Sequence, residues 1–273
     1  MTLAPETSPE PADTAARSQP SWIRPVDEGS AEAEQRASAN VYDGFAEAYA
    51  AENEKSLINA YYARPAILNL AGDVAGRRIL DAGCGAGPLS VALRDRGATV
   101  TGFDSSGAML ELARQRLGDD TDLHLVNLAG PLPFPDAAFD DVVACLVLHY
   151  LEDWSAPLAE LRRVLVPGGR LIVAVDHPFA IQLMRMQAGA KTDYFATARH
   201  TEEWTLGGHS ALMTFWHRPL HAMTEAFTTA GFRITVVSEP PPAPEARELF
   251  PESFADRSSE SFLCFLFFVL QAD

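Results

Sequence analysis

The chain predicts an open, mostly parallel α/β sheet of seven strands with helices on both faces. Three observations carry this. An apolar strand, Arg78-Ile79-Leu80, runs into Asp81-Ala82-Gly83-Cys84-Gly85-Ala86-Gly87, and residues 88–94 then read as the start of a helix. A second apolar run, 98–103, ends on the carboxylate Asp104, about 20 residues beyond the glycine turn. Further apolar runs at 123–127, 141–146, 170–175, 232–239 and 262–271 alternate with stretches of helical periodicity.

The strand, glycine turn and helix start form a nucleotide-binding corner, because glycine lets a ligand approach the backbone closely. The dinucleotide fingerprint is G-x-G-x-x-G, whereas Gly83, Gly85 and Gly87 make a G-x-G-x-G. The turn also begins on Asp81, which would repel a pyrophosphate. A cationic ligand without phosphate fits better, and S-adenosylmethionine is one: adenosine, a sulfonium and an ammonium group.

Asp81 to Gly87 resembles the first motif of class I S-adenosylmethionine-dependent methyltransferases. Further matches follow in order: Asp104, Asn127-Leu128, Pro131-Leu132-Pro133-Phe134, Phe139 to Val143, and Arg163 to Leu171 with its Pro167-Gly168-Gly169 turn. The resemblance covers roughly residues 42–271. It implies a Rossmann-like fold whose last strand is antiparallel and lies between strands five and six. It also implies cofactor contacts at Asp81, Gly83, Cys84, Gly85, Gly87, Asp104, Ser105, Asn127, Leu128 and Leu146. Family members usually carry Asp at the Asn127 position; an asparagine still accepts the adenine amino hydrogen bond through its amide oxygen. Tyr42 and Tyr49 resemble tyrosines that cover the methionine half of the cofactor; ordinary packing is the other reading.

The chain has 273 residues and a net charge of −16, with no Lys/Arg cluster. That disfavours a nucleic-acid partner. The longest apolar run, 262–270, is too short to cross a bilayer. Cys84, Cys145 and Cys264 form no C-x-x-C pair, which suits a reducing cytoplasm. No spaced carboxylate and histidine set suggests a metal.

Residues 1–39 lack apolar periodicity and read as a disordered tail, with Trp22 and Ile23 as docking exceptions. Residues 40–273 form the domain. Val41 to Asn53 reads as a helix with Tyr42, Phe45, Ala46 and Tyr49 on one face, and a second helix covers about 65–70. The tail and first helix are candidates for exchange within a homodimer. Ser105 or Ser106 can cap the helix after strand two. After strand five, residues 180–218 show little sheet character and carry many aromatic and methionine side chains. An insertion at this sheet edge reads as a lid and substrate wall.

His149 follows strand four and His177 follows strand five beside Asp176. Either is a candidate general base for methyl transfer by in-line displacement, with Tyr194 orienting a polar group. His217 is a weaker candidate. The lid composition favours a small, flat, apolar acceptor of natural-product type, an indole C3 or a phenol. Two other readings stay open: a non-catalytic S-adenosylmethionine-binding regulatory protein, and a protein methyltransferase with an open acidic groove.

Overall fold

The computed structural model describes residues 23–25, 42–255, 259, 261 and 263–273. Its main sheet contains β2 (Arg78–Ala82), β3 (Thr99–Asp104), β4 (Asp122–Leu125), β5 (Phe139–Cys145), β6 (Leu165–Asp176), β9 (Phe232–Ser238) and β10 (Phe265–Ala272). The spatial order is β4-β3-β2-β5-β6-β10-β9. β2 pairs in parallel with β3 and β5, while β10 runs antiparallel to both β6 and β9. The expected insertion of the last strand is therefore present.

Both faces of the sheet are covered, which explains why its strands read as continuous apolar runs. In β10, Leu266, Phe268 and Leu270 enter one core, and Phe265, Phe267 and Val269 enter the other. The first core also holds α5 (Ser155–Val164) and α7 (Leu220–Thr229). The second holds α2 (Arg64–Ala71) and α3 (Pro88–Arg94). Asp141 of β5 carries its charge inside the sheet. Asp141 is fully buried and accepts from Arg170 at 2.7 and 2.8 Å and from both Nε and Nη2 of Arg77.

The predicted first helix is broken. A 3₁₀ turn spans Tyr42–Gly44, and α1 (Ala46–Asn53) starts only after Phe45, whose backbone is non-helical (φ −147°, ψ 24°). A π-helical turn, Asn59–Ala63, leads into α2. Between β3 and β4, α4 (Gly107–Leu117) is capped by Ser106, whose Oγ accepts the Met109 N–H at 3.1 Å.

The segment after β6 departs most from expectation. It forms α6 (Pro178–Gln187) and then a β-hairpin of β7 (Ala198–Leu206) and β8 (His209–His217). The hairpin's inward positions on β7 include His200 and Glu202, so the apolar alternation that marks a half-buried strand is missing. Its Gly207-Gly208 turn, with φ of 57° and 81°, was a readable hairpin signal. The tail expectation needs one correction too. Ile23–Pro25 is a strand, β1, paired antiparallel with β7 from Ile23↔Trp204 to Pro25↔Glu202. A hairpin edge offers unpaired backbone groups, and a short extended segment satisfies them. Trp22 and the rest of the tail lie outside the described residues.

Candidate functional site

The carboxyl ends of β2, β3 and β5 open onto a cavity of about 590 Å³. β2 delivers Asp81 and the glycine turn to it. Gly83 takes φ +74°, and a Cβ there would lie 2.7 Å from Val147 Cγ2, so only glycine lets the turn pass beneath residue 147. Gly85 takes φ +54° with open space on its Cα side, and it lines the cavity. Gly87 does not line it. Its Cα faces Leu117 and Ala113, where it lets α3 begin against α4.

β3 delivers Asp104. Its carboxylate accepts the N–H of Gly85 and that of Ser106, each at 2.9 Å, which ties the strand end to the glycine turn. Burial raises the Asp104 pKa, against the lowering effect of those backbone N–H groups. Burial also pushes Asp81 up to about 7, although Ser90 Oγ donates to it at 2.6 Å. The buried Cys84 thiol is held well above its usual range by burial and by Asp81 and Asp104, so it stays protonated.

The remaining wall comes from residues distant in sequence. Leu146 lines the cavity at the end of β5 with φ +58°. A left-handed non-glycine residue costs of order 1–3 kcal/mol, and here the Leu146 N–H to Ala174 carbonyl bond of 2.9 Å holds it. Ser105, Asn127 and the buried Leu128 also line the cavity. Asn127 Oδ1 already accepts the Ala129 N–H at 2.9 Å, which leaves its second lone pair and its amino group for a ligand. Tyr42 and Tyr49 close one side, their rings 4.9 Å apart edge to face.

Sequence reasoning missed Tyr150 and Asp43. Tyr150 lines the cavity and shares a hydrogen bond with Tyr42 between their phenol oxygens. Burial raises both phenols, so neither ionises near neutral pH. Asp43 accepts from Ser106 Oγ at 2.5 Å and from the Ala108 N–H at 3.1 Å, fastening the 3₁₀ turn to α4. Neither residue had a local signal, because the side chain of each is aimed by a 3₁₀ turn.

The three residues expected to be catalytic lie outside this lining. His149, 5% exposed, stands behind Tyr150 with Nδ1 3.2 Å from Asp176 Oδ2. Burial raises the Asp176 pKa, and the nearby His149 and His200 outweigh it, leaving the carboxyl below its usual range. His177 caps α6. Its Nδ1 accepts the Phe179 N–H at 3.2 Å and its Nε2 faces Glu239 at 2.8 Å, so both ring nitrogens are engaged. The Tyr194 carbonyl accepts from His217 Nε2 at 2.9 Å, and its phenol lies 3.5 Å from the Leu220 N–H.

The lining fits a cationic adenosine derivative. Asp43, Glu54, Asp81 and Asp104 face it, and Arg64 is the one basic residue in the lining, itself paired with Glu54 and Asn53. A phosphate would meet net repulsion there. Phe103, Val126 and Leu128 offer an apolar wall beside Asp104.

Residues 80–173 match the family model described as a methyltransferase domain. A demethylmenaquinone methyltransferase of Tropheryma whipplei is 37% identical over 116 residues, 42% of this chain and 48% of that protein. The chain thus spans about half the length of the curated relatives it matches. An S-adenosylmethionine-dependent methyltransferase from Mesorhizobium loti superposes with a TM-score of 0.58 at 24% identity, covering 80% of this chain and 99% of that one. A Burkholderia thailandensis 1,6-didemethyltoxoflavin-N1-methyltransferase, solved with its substrate and S-adenosylhomocysteine, superposes with a TM-score of 0.54 at 16% identity, covering 92% and 95%. Residues 80–173 are thus a methyltransferase domain, and the motif order and the sheet around it are those of the class I S-adenosylmethionine-dependent methyltransferase fold.

Proposed function

We propose that the protein transfers a methyl group from S-adenosylmethionine to carbon or oxygen of a small aromatic acceptor, as a natural-product tailoring enzyme of the cytoplasm. One observation carries the reading: the glycine-turn cavity and the aromatic underside of the hairpin share a wall. Tyr42, Tyr49 and Tyr150 line the cavity, and the same rings pack on Trp204 and Phe215 of the hairpin. An acceptor under the hairpin would then lie beside the cofactor. This aromatic cover favours a small molecule over the wide trench a protein substrate needs.

When bound, S-adenosylmethionine supplies an electrophilic methyl group on a sulfonium. Asp104 would hold the ribose hydroxyls, Leu128 the adenine face, and Asp81 with the Gly83–Gly85 backbone the methionine end. The buried aromatic wall excludes water and fixes the acceptor in line, and proximity supplies much of the acceleration. Asp176 fixes the His149 ring at Nδ1, which lies 3.3 Å from the Asp176 N–H and 3.2 Å from its Oδ2; in the tautomer that donates from Nδ1 to Oδ2, Nε2 is left to receive the acceptor's proton. We favour His149 over His177 as the base, because both nitrogens of His177 are occupied.

Calorimetry with S-adenosylhomocysteine tests the cofactor reading. Micromolar binding that weakens at least about tenfold in Asp104→Ala supports it. No binding by the wild type overturns it. Turnover on indole and phenol panels then tests the base. His149→Ala should fall about 100-fold or more in kcat, and full turnover in that variant would reduce catalysis to positioning.

A further inference from the structure

A second polar cluster lies under the hairpin, outside the cofactor cavity. His200, Glu202 and Trp204 take successive inward positions on β7, opposite Phe215, Met213 and Ala211 of β8. His200 is 4% exposed and Glu202 is 5% exposed. Trp204 Nε1 donates to Glu202 Oε2 at 2.9 Å. The other oxygen of Glu202 lies 3.9 Å from His200 Nε2, beyond hydrogen-bond reach. Neither ring nitrogen of His200 has a hydrogen-bond partner. Buried polar atoms are nearly always satisfied, so a histidine with two unmatched nitrogens marks a place where a partner is to be supplied.

The surroundings state what that partner is. Phe215 stacks on the His200 ring at 5.5 Å and 26°, and Trp204 lies 5.7 Å from Phe215. The walls are therefore aromatic. The charged and titratable groups facing His200 are Asp176 from β6, His149 from its 3₁₀ turn, Arg185 from α6 and His217 from β8, with Glu202 on its own strand. Burial pushes His200 down to about 3, so near neutral pH it offers one nitrogen as donor and the other as acceptor. Burial, eased by the Trp204 bond, leaves Glu202 at about 7. With Asp176 also present, acceptor oxygens dominate, and an anionic ring would meet two carboxyl groups.

We propose that His200 and Glu202 form the acceptor-recognition site, and that it takes a neutral aromatic ring carrying an N–H or O–H donor. This rests on the methyltransferase reading. The ring stacks among Phe215, Trp204 and Tyr150, and its N–H or O–H donates to Glu202 Oε1, the oxygen that faces His200 and is not taken by Trp204. A site built around a hydrogen bond rejects the analogue that lacks the donor, because its own buried groups are then left unpaired.

The test uses the full chain saturated with S-adenosylhomocysteine, titrated with indole against 1-methylindole and with phenol against anisole. The expected result is a preference of about tenfold or more for the donor-bearing member of one pair. That preference should drop below about threefold in Glu202→Gln, which keeps the size of the side chain, and in His200→Phe. S-adenosylhomocysteine binding serves as the folding check in each variant. Equal affinity within both pairs in the wild type, no binding of any probe by the loaded protein, or a preference retained in Glu202→Gln would overturn the proposal while leaving the cofactor reading standing. Failure of the wild type to bind S-adenosylhomocysteine would overturn the methyltransferase reading first, and this inference with it. If His200→Phe does not fold, the wild-type preference and Glu202→Gln decide alone.

Discussion

Tyr42 and Tyr150, 108 residues apart, join their phenol oxygens in a hydrogen bond in the wall of the glycine-turn cavity. The bond ties the N-terminal 3₁₀ turn to the turn after β5, and Trp204 of the hairpin packs against the Tyr42 ring at 6.4 Å. Three segments that share no local sequence signal thus meet at one buried pair.

Removing one phenol leaves the other buried without its partner. Tyr42→Phe and Tyr150→Phe should each destabilise the protein by about 1–3 kcal/mol, read from urea unfolding midpoints. The double variant should cost less than the sum of the two, because no orphan remains. Additive costs would mean that each phenol has another partner.

The glycine turn separates folding from binding. Gly83→Ala combines a left-handed backbone with a 2.7 Å overlap on Val147 and should cost about 3 kcal/mol. Gly85→Ala carries only the backbone cost, about 1 kcal/mol, since its Cβ meets open space. Because that space belongs to the cavity, Gly85→Ala should weaken S-adenosylhomocysteine binding while changing Tm by only a few degrees. Calorimetry and thermal unfolding of the two variants check the contrast.

Burial holds Asp81 at about 7 against an ordinary 3.8. Between those pH values the unfolded chain has released a proton that the folded chain keeps. The stability from this group is therefore full below pH 3.8 and lost as pH rises through about 7. His200 acts with the opposite sign, since burial lowers it from 6.5 to about 3. A variant comparison isolates the first effect. Relative to wild type, Asp81→Asn should gain about 1.4 kcal/mol per pH unit as pH rises from 3.8 to about 7, measured by urea unfolding at each pH. A difference that stays flat with pH would refute it.

Asp141 is the polar key of the sheet. It receives Arg77 from just before β2 and Arg170 from β6 while fully buried. Asp141→Ala would leave two guanidinium groups facing an uncharged gap, and should cost about 3–5 kcal/mol in chemical unfolding. A loss below about 1 kcal/mol would mean that water or backbone carbonyls replace the carboxylate.

Local chemistry in the sequence determined the sheet and the glycine corner at its edge. Apolar runs bounded by turn residues read as strands buried on both faces, and the glycine turn after Asp81, with Asp104 about 20 residues beyond it, marks the corner where they meet a ligand. Tertiary structure alone decided what faces what. The hairpin was hidden because His200 and Glu202 occupy its buried face, a pattern that looks polar until the strands are paired. Gly87 shares its motif with the cavity residues, and packing against Leu117 turns it away. His177 and His149 sit at equivalent sheet ends, yet Glu239 and a helix start occupy the first, while Asp176 and Tyr150 set the second behind the cavity wall. Spacing along a chain fixes a backbone conformation; the direction of a side chain and the partner that claims it depend on segments a hundred residues away.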